Sequence, residues 1–516
     1  MTHPARPAPR SAPLLTLAGV AVALGLGCSG APPSESPSVS PPSVSPPSVS
    51  PPSVPPPAAA PPDIVLVIVD TLRADHLGFM GHSRPTSPHL DALAAESVVF
   101  TRAYAQSGWT LPSVASLLTG LRPHAHKIVR DGKNAARFGR RDPTTPTLAC
   151  ALAGRGYRSA AFINNTFLAP EFGLNAGFDV YDYNGAHNDK HRTAPDTVAA
   201  ALAWLGQSEQ PAFLVVHLME PHLDYNPPAP QAGRFVPAER PARLAYPAVP
   251  NPFSQLQSRA WEADAPERAY LAALYDEEVL TADAAVGALI TGLRSRPRAA
   301  EGVLAITADH GEELWDMGGF EHGHALWSPL THVPLLLSAP GLAPARVETV
   351  VEHIDLSQTL LAMAGASPAV GAAGQDLRAV MAAPGVPRVA LQENCIYGAP
   401  CLSVLDGAHR LTVRAGQPEP GITALRPLLS LHALGPTGAE TSELGPTSPE
   451  AEALIQKLGG YILSVRGSAN PILEVPGAEL TDGQTFEMLR SLGYVDEAGA
   501  DRARATDTVD RSACPL

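Results

Sequence analysis

From residue 63 onward, short apolar runs rich in β-branched residues take turns with helical stretches, and this alternation limits the chain to very few folds. The runs are IVLVIV (64–69), SAAFI (159–163), AFLVVHL (212–218), VLAIT (303–307) and VPLLL (333–337). Between them lie PHLDALAAESVVF, DTVAAALAWL and ERAYLAALYDEEVLTADAAVGALITGL, whose apolar residues recur at helical spacing. Continuous apolar strands need cover on both faces, and strands separated by helices are joined by crossovers, so a doubly wound α/β body with a parallel sheet is predicted. Ligands of such sheets bind beyond the carboxyl ends of the strands. Three runs lead into polar groups at that edge: Asp70-Thr71, Met219-Glu220-Pro221-His222 and Asp309-His310-Gly311-Glu312.

The chain has 516 residues, 45% of them hydrophobic, enough for one large or two ordinary domains. With 36 basic against 50 acidic residues the net charge is -14. That balance repels phosphate backbones and argues against nucleic-acid binding. At the N-terminus, Arg6 and Arg10 precede an apolar run from Leu14 to Gly27, shorter than the roughly 20 residues that span a bilayer. The run ends in LGLGCSG and resembles a bacterial lipoprotein signal (residues 1–28), which implies lipidation of Cys28. A plain secretory signal with an incidental cysteine is the alternative. Residues 29–62, largely repeats of PPSVS, read as an extended low-complexity linker. Together these features predict a body held off a membrane in the cell envelope, at the outer membrane or the periplasmic face. The other cysteines are at 150, 395, 401 and 514; Cys395 and Cys401 bracket a short loop that an exported protein could oxidise. No CxxC spacing points to a zinc cluster.

In SGWTLPSVASLLTG (107–120) a helix pattern starts with Pro112 in its first turn, where proline is tolerated. The hydroxyl of Thr110 is then either an ordinary helix cap or a nucleophile facing the backbone amides. Asp70, Asp309 and His310 offer two carboxylates and an imidazole to a divalent cation that would activate that hydroxyl. The imidazole favours zinc or manganese over calcium. Strand-end aspartates also cap helices, and Asp309-His310 could be a turn pair.

The segments IVDTLRADHLG, SGWTLPSVASLLTG, GYRSAAFINN, VHLMEPH, ITADHGEEL, EHGHALW and THVPLLLSAPG follow one another in the order and spacing of the sulfatase family, within the alkaline phosphatase-like superfamily. Near the end, FEMLRSLGYVD resembles the C-terminal tail motif of many bacterial members. The resemblance implies an alkaline phosphatase-like, mostly parallel sheet with helices on both faces (63–385), a smaller C-terminal α+β subdomain (386–500) and a flexible tail (501–516). It places Asp70, Asp309 and His310 on metal-ligand positions and Thr110 on the nucleophile position. His222 and His322 fall where side chains contact the transferred group or protonate the leaving oxygen, and His126, Asn164 and Glu220 are expected to bind substrate.

Departures from the pattern bear on the substrate. Sulfatases of the usual type carry a Cys or Ser that is oxidised to formylglycine within Cys-x-Pro-Ser-Arg; here the stretch runs from Thr110 to Val114, and threonine cannot form that aldehyde. Ile163-Asn164-Asn165-Thr166 stands where many sulfatases have Gly-Lys-Trp-His, and Thr71 stands where a second metal aspartate is common. Losing cationic clamps around one anion site favours a phosphate ester or diester over a sulfate ester. The alternatives are a sulfuric ester hydrolase of arylsulfatase or glycan-sulfatase type, a phosphoethanolamine-transferase-like enzyme, and an inactive surface-binding lipoprotein. The expected partners are a sulfated or phosphorylated small molecule, glycan or lipid, and a membrane through the lipid anchor.

Overall fold

A computed structural model describes residues 61–130, 137–185, 192–244, 261–397, 401–414, 428–444, 449–466, 477–479 and 514. The signal, the linker up to residue 60 and the FEMLRSLGYVD motif lie outside these residues.

Eight strands form the main sheet: β1 (Ile64–Val69), β2 (Val98–Phe100), β3 (Arg158–Ile163), β4 (Val180–Tyr183), β5 (Ala212–Leu218), β6 (Val303–Ala308), β7 (Leu335–Ser338) and β8 (Ala345–Val347). Their spatial order is β8-β2-β7-β6-β1-β5-β3-β4. All six residues of β1 are buried, as are all seven of β5, because both sheet faces are covered. Each fully buried Val, Leu or Ile contributes about 1.5–3 kcal/mol relative to an exposed one.

The strand around VPLLL departs from the parallel pattern. β7 runs antiparallel to both β6 and β2, while the remaining neighbours pair in parallel. A parallel neighbour needs a long crossover, usually a helix. Between β6 and β7 the longest helix is the four-residue Ser328–Thr331, so the chain turns straight back. The connection is instead occupied by Asp309, His310 and His322.

The helices used below are α1 (Pro88–Ala94), α2 (Thr110–Thr119), α3 (Ala194–Leu205), α4 (Ala265–Arg294) and α5 (His353–Met363). All ten residues of α2 are buried, and Gly120, at φ 70°, ends the helix in the left-handed conformation that glycine adopts most easily. Helix α4 opens with a capping box between Asp264 and Glu267. Its acidic stretch, Asp276-Glu277-Glu278, is buried. Glu277 accepts from the amides of Gly233, Phe235 and Val236 at 2.9, 2.6 and 3.0 Å, pinning that loop to the helix.

A second sheet follows, with β9 (Ala390–Glu393), β10 (Cys401–Leu405), β11 (His409–Arg414), β12 (Leu428–Leu434) and β13 (Glu440–Glu443) in an antiparallel meander. Leu391, Leu402, Val404, Leu411 and Leu431 form its small core with Leu458 of the helix Pro449–Arg466. Cys395 is disulfide-bonded to Cys401, and Cys150 to Cys514, a pairing across 364 residues that spacing alone does not suggest.

Candidate active site

Strands β1 and β6 are neighbours in the sheet, and the register that pairs Val69 with Ala308 brings the next residues, Asp70 and Asp309, side by side at the carboxyl edge. Both are fully buried. Each carboxylate uses one oxygen to hold itself in place. Asp309 Oδ1 accepts from the amides of Thr71 at 3.1 Å and His310 at 2.8 Å, while Asp70 Oδ2 accepts from Asn165 Nδ2 at 2.6 Å. The other two oxygens, Asp70 Oδ1 and Asp309 Oδ2, accept no hydrogen bond.

His310 completes the cluster. Its Nδ1 donates to the carbonyl of Gly311 at 2.8 Å, so in the neutral ring Nε2 presents a lone pair. Nε2 lies 3.7 Å from Asp70 Oδ1 and 3.4 Å from Asp309 Oδ2. Three potential lone-pair donors thus converge in a buried space. Burial first, and the Asp309 charge second, push the Asp70 carboxyl well above the usual carboxylate range, opposed by the Asn165 amide. A divalent cation fits such a donor set: it removes the repulsion and satisfies both orphan oxygens.

Thr71 has φ 55°, which is uncommon for a β-branched residue. Its conformation aims the amide at Asp309, and Tyr275 on α4 holds the turn by donating to the Thr71 carbonyl at 2.7 Å and accepting from the Arg73 amide at 2.9 Å. The position thus holds the Asp309 carboxylate through its backbone.

Thr110 is the first residue of α2, and the extended residue before it, Trp109, occupies the cap position. Its hydroxyl is therefore not the cap. Thr110 Oγ1 lies 3.2 Å from His310 Nε2 and 3.3 Å from Asn165 Nδ2, at the amide end of a buried helix. A buried hydroxyl and a helix terminus able to stabilise an anion coincide there.

Two of the three other histidines expected at the site are close by. The His322 ring centre is 4.5 Å from that of His310 and 5.0 Å from that of His222. His322 Nδ1 lies 2.8 Å from Glu312 Oε1, and Glu312 Oε2 accepts from the Tyr225 hydroxyl at 2.9 Å. Burial, then His310 and His222, hold the His322 pKa well below the usual histidine value.

Three expected substrate contacts are each engaged by other groups of the protein. His126 is engaged by Ser116 Oγ at 3.0 Å and by the Ile128 amide at 2.9 Å. Ser116 is six residues along α2 from Thr110, about 9 Å of helix rise, so this histidine braces the helix. Asn164 donates to Thr197 Oγ1 and the His217 carbonyl and accepts from Arg192, which turns it away from Thr110. Its neighbour Asn165 takes the place facing Asp70. Glu220 accepts from the Ala194 amide at the start of α3 at 3.0 Å. Sequence reasoning also missed His217, whose Nε2 lies 3.5 Å from Asp70 Oδ2, and Glu312. An alternation rule extended past the end of β3 could have chosen between Asn164 and Asn165, had the strand's phase been known.

One more group among the described residues has metal-binding composition: His76, His82 and Asp276. Arg84 already lies 2.7 Å from the Asp276 carboxylate, so that cluster ties the segment after β1 to α4.

Glu278, beside Asn226 on α4, shows how burial tunes this side of the site. Its Oε1 accepts from the Asn226 amide at 2.7 Å, and its Oε2 accepts nothing. Burial first and Glu220 second push its pKa from 4.5 up to about 8. Between those values the folded chain binds more protons than the unfolded chain, so stability falls as pH rises through that window. Glu278→Gln keeps the acceptor and abolishes the titration. We expect it to be more stable than the parent at pH 8 by roughly 2–4 kcal/mol in urea unfolding, with little difference near pH 4. Parallel pH profiles for the two proteins would contradict this assignment.

Comparison with known proteins adds a family. The sulfatase family model matches residues 62–366, more than half of the chain. An uncharacterized sulfatase, YidJ, of Escherichia coli (strain K12) is 24% identical over 360 residues, covering 63% of this chain and 72% of that protein. Human (Homo sapiens) iduronate 2-sulfatase is 25% identical over 338 residues, covering 54% of this chain and 60% of the enzyme. Among solved structures, a phosphonate monoester hydrolase from Silicibacter pomeroyi superposes with a TM-score of 0.61 at 22% identity, covering 78% of this chain and 95% of that one. That last likeness is one of fold.

Proposed function

The chain belongs to the sulfatase family, and from that premise we propose that it is a divalent-metal-dependent ester hydrolase with Thr110 as nucleophile and a phosphate or phosphonate ester or diester as substrate. The observation that carries the reading is the position of Thr110 Oγ1, at the amide end of α2 and 3.2 Å from His310 Nε2, beside two buried carboxylate oxygens that accept no hydrogen bond. Asp70, Asp309 and His310 would hold the metal, zinc or manganese in preference to calcium because one donor is an imidazole nitrogen. When bound, the metal lowers the pKa of the threonine hydroxyl and offsets the charge of the ester group.

The chain's own residues supply the rest. Thr110 Oγ1, its proton released to solvent, attacks the central phosphorus or sulfur, a Thr–O bond to that atom forms, and the bond to the leaving alkoxide breaks. Asn165, already donating to both Asp70 and Thr110, positions the attacking oxygen and neutralises part of the charge on the Asp70 side. His222 and His322 lie together, their ring centres 5.0 Å apart, and one of them gives a proton to the leaving oxygen. In the free protein His322 is neutral; an anionic ester lodged beside it favours the protonated ring. A water molecule then attacks the central atom and gives up a proton to the same pair; the Thr110 Oγ1 bond to that atom breaks, and the alkoxide takes a proton from solvent, which restores the hydroxyl.

The charge around the site supports a phosphoric ester. Beyond the cation it offers amides, Asn165 and histidines in place of the lysine and arginine clamps of the family pattern. A sulfuric ester is the second reading, favoured by the names of the related enzymes. Matched nitrophenyl phosphate, phosphodiester, phosphonate and sulfate substrates, assayed with zinc, manganese and calcium, separate the two. A kcat/KM for a phosphorus ester at least tenfold above the sulfate supports the proposal, and the reverse order overturns it.

The same reading places the enzyme in the cell envelope on a lipid anchor at Cys28. Cys28→Ala is expected to leave an unlipidated precursor that no longer sediments with membranes, because the apolar run is too short to span. Unchanged fractionation together with an unchanged mass of the mature N-terminus would refute the anchor.

A further inference from the structure

The segment that delivers Thr110, Gln106–Trp109, is held by a loop from the second sheet. Glu393 at the end of β9 donates its amide to the Gln106 carbonyl at 2.8 Å. The next residue, Asn394, makes two further contacts: its carbonyl accepts from Ser107 Oγ at 2.9 Å, and its Oδ1 accepts from Trp109 Nε1 at 3.0 Å. Its own amide donates across the loop to the Cys401 carbonyl at 3.1 Å, and the Cys395–Cys401 disulfide closes the same loop. Asn394 sits at φ 73°, a conformation that asparagine tolerates better than most side chains.

The loop also reaches the other half of the site. The amides of Ile396 and Tyr397 both donate to the Gly323 carbonyl, at 2.8 and 3.2 Å, and Gly323 in turn donates to the Gly108 carbonyl at 2.9 Å. A Cβ on Gly323 would run into Ile396, so the two segments pack backbone to side chain. Gly323 follows His322, and Gly108 lies two residues before Thr110. One staple therefore fixes the segment before Thr110 and the residue after His322 relative to each other.

From this geometry we infer that Asn394, locked in its left-handed conformation by the Cys395–Cys401 loop, is a positioning residue for Thr110. The role rests on the proposed Thr110 chemistry but concerns contacts that exist whatever the substrate. The indole of Trp109 is the lever. It is buried, packs edge-on against Phe138 and Phe167, and precedes the first helical residue directly. Its Nε1–H satisfies Asn394 Oδ1, which sets the direction in which α2 starts and hence the line along which Thr110 Oγ1 points. Misplacement of an attacking atom by about 1 Å costs on the order of a hundredfold in rate.

Three full-length variants test this. Asn394→Gly keeps every backbone contact and eases the φ angle, removing only the bond to Trp109. Asn394→Asp keeps the acceptor. Cys395→Ser with Cys401→Ser opens the loop while leaving the Cys150–Cys514 disulfide intact. Each is measured for kcat and KM on the best substrate of the panel above, for vanadate affinity, and for hydrogen exchange of the peptide spanning residues 105–118.

The expected result is a fall in kcat of about 10- to 100-fold with KM changed less than threefold for Asn394→Gly. Vanadate binding should weaken by a similar factor, exchange in that peptide should rise, and Asn394→Asp should recover most of the rate. The double cysteine variant should move in the same direction as Asn394→Gly. If no substrate is turned over and vanadate does not bind the parent, the proposed chemistry fails, yet the exchange comparison still decides the positioning role. Exchange at residues 105–118 equal to the parent's in Asn394→Gly overturns the inference, as does wild-type kcat accompanied only by a lower melting temperature.

Discussion

Thr110→Ala lowers kcat by at least about a thousandfold on any ester that the parent hydrolyses, with little change in melting temperature. The size of the effect follows from what the hydroxyl does: the covalent step has no other attacking oxygen at this position. The small stability change follows from Trp109, not Thr110, being the helix cap. Loss of a cap costs about 1 kcal/mol, and alanine leaves the cap untouched. Thr110→Ser, which keeps an ionisable hydroxyl, retains part of the rate. Steady-state kinetics and thermal melts on the same preparations check both halves. Full activity in Thr110→Ala would return this position to a structural role.

Asp309→Asn is expected to produce a loss of similar size for a different reason, and with an opposite effect on the metal-free protein. Oδ1 of the asparagine still accepts from the amides of Thr71 and His310, so the turn is preserved. An NH2 group replaces Oδ2, one of the oxygens proposed to hold the cation, and offers it no lone pair. Metal affinity and turnover fall together, by a hundredfold or more. In the chelated state the variant melts above the parent, because the like charge next to Asp70 is gone. Adding zinc or manganese raises the melting temperature of the parent and not of the variant. The loss is not additive with Thr110→Ala, since both act on one activated oxygen. Elemental analysis that finds no divalent ion in the parent, together with activity that survives chelation, would dispose of the metal role.

How much of this was legible in the sequence differs from residue to residue. The buried strands were plain because both sheet faces are covered, so their residues are apolar without alternation. Asp70, Asp309 and His310 were legible because strand ends deliver them to one edge by topology alone. The reversal of β7 was hidden in a connection that held site residues where a crossover helix was expected. At Asn164 and Asn165 the residue types were right and the phase was not, since nothing local tells which of two adjacent amides faces inward at a strand's end. His126 carried the right chemistry at the wrong place: a buried imidazole with both nitrogens engaged is a helix brace. The acidic run of α4 is buried because distant backbone amides satisfy it, and Asn394 joins the site through a second sheet folded almost 300 residues later. Contacts of that separation leave no periodic trace.

The central claim, that Thr110 is the nucleophile, is tested most directly by acid-quenching the enzyme during a single turnover of a phosphodiester and mapping its peptides by mass spectrometry. The account predicts a phosphoryl ester on the hydroxyl of Thr110, formed and lost at rates compatible with kcat and absent from Thr110→Ala. An active enzyme whose Thr110 peptide stays unmodified throughout the turnover, or that carries the group on another side chain, would contradict it.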